Sequence, residues 1–240
     1  MSLSAVRISS KSKPATAAVI FLHGLGDSGA GWSFLSDYAR ASKEFDHIKF
    51  IFPNAPSQPV TVNGGMRCPS WFDIYELGNN KNINLGDDKE GFLKSIDTIR
   101  EHIKELNNSD IPTDRVIIGG FSQGAALSLA SSVLVDEKLA GVIGLSGFAR
   151  IVSTLKEKIA SFDGVKNLPN VDTPVLQCHG LLDEVINYEF GAMTKDFFKK
   201  EIGLTNYKFY KFNNLGHSCN EDEISLVLNF IKDNLPSTTK

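Results

Sequence analysis

Cysteine is scarce in this 240-residue chain: Cys68, Cys178 and Cys219 are odd in number and far apart. That pattern excludes the disulfide framework of a small secreted domain, and no CxxC or HxxxH pair suggests a metal site. A surplus of positive charge is also missing, since 25 Lys and Arg face 28 Asp and Glu for a formal net charge of −3. Such a balance offers no field to hold a polyanion, so nucleic acid is not an expected partner. The densest basic stretch, Lys195–Lys211, reads as the solvated faces of one helix and one strand. No apolar run has the length of a membrane span: Ala15–Leu22 is too short and passes straight into His23-Gly24. Residue 2 is Ser, and Thr238-Thr239-Lys240 is neither a prenylation nor a peroxisomal signal. Internal repeats, low-complexity tracts and linkers are lacking too. The expectation is one domain over 17–236, with an N-terminal extension over 1–16 and a tail over 237–240, in a soluble cytoplasmic protein.

What is present is alternation. Short β-rich runs over Ala17–Leu22, Lys49–Phe52, Arg115–Gly119, Gly141–Leu145, Pro174–Cys178 and Tyr207–Phe212 are separated by helical patterns. The helices are expected over Gly31–Ser42, Asp88–Asn107, Ser122–Val135, Phe190–Glu201 and Glu221–Leu235. Within Asp88–Asn107, the residues Phe92, Ile96, Ile99, Ile103 and Leu106 recur at three- and four-residue spacing, the stripe of an amphipathic helix. Strands alternating with helices need crossover connections, so the fold class is α/β: a mostly parallel, doubly wound sheet with helices on both faces and no separate cap domain. Tyr207–Phe212 alternates aromatic residues with lysines and reads as an edge strand. Pro53–Asp87 is the long irregular part, with Asn63-Gly64 as a hairpin-turn signal.

Chemistry in such sheets sits beyond the carboxyl ends of the strands. Gly120-Phe121-Ser122-Gln123-Gly124 is a G-x-S-x-G that follows a strand and opens a helix, the context of an α/β-hydrolase nucleophile. A serine is a weak nucleophile until a base takes its proton. In this fold the partners follow in the order Ser, acid, His, which selects His217 in the loop before the last helix. Asp183, on the carboxyl side of the strand Pro174–Cys178, is the acid, with the adjacent Glu184 as its rival. His179 reads as a loop-ordering residue, and His47 and His102 as solvent-exposed ones. Negative charge developing on the substrate needs preset N–H donors. Gln123 supplies one, and Leu25, between Gly24 and Gly26, is the candidate for the second.

Gly24-Leu25-Gly26-Asp27-Ser28-Gly29 is also a literal G-x-G-x-x-G, which read alone suggests a dinucleotide site. That site wants an acid ending the second strand, whereas the second strand runs into Phe52-Pro53-Asn54-Ala55-Pro56. No cofactor is therefore expected. A non-catalytic binding module on the same fold would carry a broken triad, and all three members are present.

Together, Phe21–Asp27, Phe52–Pro56, Ser70-Trp71-Phe72-Asp73, Gly119–Leu127, Gln177–Gly180 and Gly216-His217-Ser218 resemble the acyl-protein thioesterase/lysophospholipase family of carboxylesterases, over about residues 17–236. The resemblance implies removal of long acyl chains, typically palmitoyl, from the cysteines of S-acylated proteins. Lysophospholipids and small esters are implied as further substrates, and a broad carboxylesterase or lysophospholipase is the alternative. It carries the triad roles onto Ser122, Asp183 and His217 and the oxyanion roles onto Leu25 and Gln123. It also implies an apolar acyl channel with Leu25, Met66, Trp71, Phe72, Phe148 and Leu182 as candidate walls. The sequence departs from the family pattern at Leu181, where an acidic or polar residue is common, and at Glu184, where proline is. It also lacks the N-terminal cysteine that anchors some relatives to membranes, so no stable membrane anchor of that kind is expected. An apolar Phe/Trp rim admits two readings, an acyl entrance and the face of a weak homodimer.

Overall fold

The computed structural model describes residues 4–76, 88–162 and 165–238. The expectations for Ser2, for the irregular stretch from residue 77 to Asp87 and for Thr239-Lys240 lie outside the described residues.

Seven strands form one sheet. They are β1 (Ala5–Ile8), β2 (Ala17–Leu22), β3 (Ile48–Pro53), β6 (Val116–Phe121), β7 (Gly141–Leu145), β8 (Val175–Gly180) and β9 (Tyr207–Phe212), in the order β1-β3-β2-β6-β7-β8-β9. Only β1 runs antiparallel, with Val6 opposite Phe52; the other pairs are parallel. A separate hairpin joins β4 (Ser57–Val60) to β5 (Met66–Pro69). Its loop passes through Gly64 in the left-handed region, where the sequence signals a turn.

Helices cover both faces, which is why β2 is apolar at every position and buried throughout. The two-residue period of a strand sends Ala18, Ile20 and Leu22 into one layer and Ala17, Val19 and Phe21 into the other. The first layer holds α3 (Lys89–Asn107), α4 (Gln123–Leu134) and α5 (Val152–Ala160), with Phe92, Leu127 and Leu155 packed there. The second holds α1 (Gly29–Trp32), α2 (Phe34–Arg40) and α7 (Glu221–Asn234), contributing Trp32, Leu35 and Val227. The last crossover, α6 (Tyr188–Asp196), runs on into a π-helical turn over Phe197–Glu201.

Four sequence expectations change. The helix expected over Gly31–Ser42 is two short helices that meet at Ser33, which caps the end of the first and the start of the second. Residues 5–8, set aside as extension, add an edge strand, and α5 is an unexpected helix. His47 and His102 are buried rather than exposed, at 3% and 1% of their surface. His47 donates from Nε2 to Leu235 O at 2.8 Å, and the Nδ1 of His102 lies 3.4 Å from Glu105. One polar partner for each ring offsets the cost of removing it from water.

Glu223, in the first turn of α7, is fully buried, and neither carboxyl oxygen finds a hydrogen-bond partner among the described residues. Burial pushes its carboxyl up from 4.5 to about 8. Below pH 4.5 the folded and unfolded chains both hold the proton and no penalty arises. Between 4.5 and 8 the unfolded chain releases it while the folded chain keeps it, so stability falls as pH rises and levels off above 8. Glu223→Gln is therefore expected to leave the melting temperature nearly unchanged at pH 4.5 and to raise it by about 10 °C at pH 8. Scanning calorimetry at both pH values checks this; an increment independent of pH would contradict it.

Candidate active site

The chain leaves β2 in one direction to make β3 and returns on the other side to make β6. That reversal opens a crevice at the carboxyl ends of β2 and β6, where ligands bind in folds of this kind. Ser122 occupies the sharp turn between β6 and α4 with φ 55° and ψ −115°. The turn is possible because α4 lies hard against the end of β2. A Cβ on Gly124 would stand 2.3 Å from Leu22 O and 2.7 Å from His23 O, so only glycine fits there.

His217 reaches Ser122 from the loop between β9 and α7. Its Nδ1 lies 2.8 Å from Asp183 Oδ2 and its Nε2 lies 2.9 Å from Ser122 Oγ. A carboxylate can only accept, so Nδ1 carries the proton, leaving Nε2 as the acceptor for the serine hydroxyl. The other oxygen of Asp183 is pinned by the N–H groups of Val185 at 3.0 Å and Ile186 at 2.8 Å. Burial pushes the Asp183 carboxyl up. Hydrogen bonds from His179, His217 and the Ile186 N–H more than offset this and hold it well below the usual carboxylate range. The site therefore keeps a permanent negative charge behind the imidazole. Glu184, the rival acid, points to solvent.

His179 orders the acid loop, as the sequence suggests. It is fully buried, donates from Nε2 to Ile186 O at 2.8 Å and stands 3.4 Å from Asp183 Oδ2. His23 is buried as well. Ala55 N–H donates to its Nε2 at 3.0 Å, so its Nδ1 holds the proton and donates to Gly24 O at 2.7 Å. Burial lowers the pKa of His23, which keeps the ring neutral.

Gln123 opens α4, so its N–H belongs to the first-turn amides that lack an intrahelical acceptor. Leu25 sits across the crevice in the loop after β2. Ser122 and His217 face a cavity of about 520 Å³. Of the expected wall residues, Leu25, Phe72 and Phe148 line it. Three others do not. Met66 is exposed on the β4–β5 hairpin and Leu182 on the outside of the acid loop, while Trp71 is buried behind the wall. Sequence reasoning missed Trp32, Phe34, Ile74, Phe121, Ile186 and Phe190, which supply much of the apolar lining. Phe121 and Ile186 could have been found from their places beside Ser122 and three residues after Asp183. Asp27, Glu76 and Arg150 add charge to the walls, and the Arg150 guanidinium lies 5.0 Å from the centre of the Phe148 ring.

The G-x-G-x-x-G glycines serve this loop instead. A Cβ on Gly29 would fall 2.1 Å from Phe52 O, and Gly29 N–H donates to Asn54 Oδ1 at 2.8 Å, so this glycine lets the start of α1 pack against the end of β3. Among the described residues no group of three or more His, Cys, Asp or Glu is placed to hold a metal ion. No helix among them is long and apolar enough to cross a membrane.

Comparison with known proteins places this geometry in context. The family model described as phospholipase/carboxylesterase matches residues 3–235. Acyl-protein thioesterase 1 of Yarrowia lipolytica is 46% identical over 231 residues, covering 96% of this chain and 97% of the relative. Its namesake in Saccharomyces cerevisiae is 40% identical over 237 residues, covering 98% and 100%. The crystal structure of Zea mays acyl-protein thioesterase 2 superposes with a TM-score of 0.82 at 31% identity, covering 97% of this chain and 99% of that one.

Proposed function

The chain belongs to the phospholipase/carboxylesterase family of α/β-hydrolases, and from that membership we propose that it removes long acyl chains, typically palmitoyl, from cysteine thioesters of proteins. The observation that carries the reading is the His217 imidazole bridging Ser122 Oγ and the Asp183 carboxylate at an apolar cavity. The names of the relatives supply the substrate class; the site supplies the chemistry.

The mechanism has two steps. His217 Nε2 takes the proton of Ser122 as its Oγ attacks the acyl carbonyl, and the Asp183 carboxylate stabilises the resulting imidazolium. The carbonyl oxygen, now negative, is held by the N–H groups of Leu25 and Gln123. The C–S bond breaks, and the departing cysteine sulfur takes up the proton from the His217 imidazolium, which returns the imidazole to its neutral form. Water then gives its proton to the same imidazole and hydrolyses the acyl-serine, freeing the fatty acid and restoring Ser122. A thiol has a pKa of about 8.5, far below that of an alcohol, so a thiolate departs with little help from a proton. An alkoxide does not.

Thioesters are accordingly expected to acylate Ser122 faster than oxygen esters of the same chain. Paired turnover of an S-palmitoyl peptide and a palmitoyl lysophospholipid tests this, with the Ser122→Ala protein as blank. A higher Ser122-dependent kcat/KM for the peptide supports protein deacylation. Equal or better turnover of the lysophospholipid would make lipid hydrolysis the function of the same site.

A further inference from the structure

Trp71 was expected on the wall of the acyl channel, yet it is 1% exposed and lies outside the cavity lining. Its polar groups point elsewhere. The indole Nε1–H donates to His23 O at 2.9 Å, and the main-chain N–H donates to the side-chain oxygen of Gln123 at 2.9 Å. The other end of the Gln123 amide donates to Ser70 Oγ at 3.0 Å and to Phe72 O at 2.6 Å. One residue earlier, Pro69 O accepts from Gly26 N–H at 2.8 Å. The short segment 69–72 thus grips His23 and Gly26, two residues before and one after Leu25, and the side chain of Gln123. Leu25 and Gln123 are the two cavity-lining positions whose N–H groups the proposed mechanism assigns to the oxyanion. The segment is itself fixed from behind, because Ser95 on α3 donates to Trp71 O and the His23 ring packs 5.1 Å from the indole.

We infer that Trp71 is a positioning residue that braces the two halves of the oxyanion hole, setting the separation of the Leu25 and Gln123 amides without touching the acyl chain. The two amides come from separate segments, the loop after β2 and the start of α4, so a third element that spans both can set their separation. Full loss of one oxyanion donor costs about 10²–10³ in rate. A brace that lets a donor drift costs less. The inference rests on the proposed acyl-serine chemistry but not on the identity of the natural substrate.

Trp71→Phe removes the indole N–H while keeping an aromatic ring and the main-chain N–H. The test uses a short activated ester and a pair of inhibitors of equal chain length, an alkyl trifluoromethyl ketone and the matching methyl ketone. Ser122 adds to the trifluoromethyl ketone carbonyl carbon, its proton passes to His217, and the former carbonyl oxygen carries the negative charge. The methyl ketone binds mainly without addition. In Trp71→Phe, kcat/KM is expected to fall roughly tenfold. The affinity for the trifluoromethyl ketone should fall by the same factor, with the methyl ketone unaffected. Unchanged kcat/KM would overturn the inference, as would equal weakening of both ketones, which marks a damaged cavity. Should Trp71→Phe fail to fold, Ser95→Ala loosens the same brace and is read by the same pair. A failure of the hydrolase reading itself looks different, because wild-type protein would then hydrolyse the ester without needing Ser122.

Discussion

Replacing Ser122 with alanine is expected to lower kcat by about 10⁶, the scale seen when the nucleophile is taken from a unit that works only as a whole. The magnitude follows from the geometry. His217 Nε2 has the Ser122 hydroxyl at 2.9 Å as its hydrogen-bond partner, and without that oxygen the base has no nucleophile to activate. Binding should survive, since the walls of Phe72, Phe148 and Phe190 are untouched. The check is steady-state turnover of a thioester peptide with direct binding of the same peptide by the variant. Retention of a tenth of the activity would remove Ser122 from the chemistry.

Asp183→Asn is expected to lower kcat by roughly 10⁴, the cost of holding such an imidazole in the wrong tautomer. Here the direction of the amide is forced. Val185 and Ile186 N–H groups occupy one oxygen of Asp183, so the carbonyl of asparagine must take that place. Its NH₂ then faces His217 Nδ1, which must accept. The proton moves to Nε2, where it blocks uptake of the serine proton. Glu184→Gln, at an exposed position, is expected to change turnover little. The two variants measured side by side decide between adjacent acids: intact turnover in Asp183→Asn with loss in Glu184→Gln would reverse the assignment.

Much of the site is legible in the sequence because steric rules leave marks there. Gly124 is readable because its Cβ would strike the main chain of β2, and the order of Ser122, Asp183 and His217 along the chain follows from the topology. Strand β9 is readable as an edge because Lys208 and Lys211, three residues apart, put charge on both of its faces, and it closes one side of the sheet. The opposite edge is harder. Strand β1 has only four residues, three of them half-buried, and its Arg7 pairs with Glu105 on α3, so no apolar run announces it. Helix α5 carries Val152, Leu155 and Ile159 at three- and four-residue spacing, a signal present but short.

Side-chain direction is the larger gap. An apolar residue near a nucleophile can face the cavity, as Phe148 does, or the core behind it, as Trp71 does. Nothing in its identity distinguishes the two. Only its polar neighbours do, because Ser70, Gln123 and the indole N–H must each find a partner once buried. The same reasoning applies to His47 and His102, whose polarity suggests water although each finds a partner inside.

The most direct measurement is rapid mixing of the protein with an S-palmitoyl peptide, acid quench within one turnover, and mass spectrometry of the intact chain and its peptides. The predicted result is one palmitoyl group on Ser122, formed before fatty acid is released and absent from Ser122→Ala. Release of fatty acid with no acylated protein at any time, or an acyl group on Cys219 in the same cavity, would contradict the account.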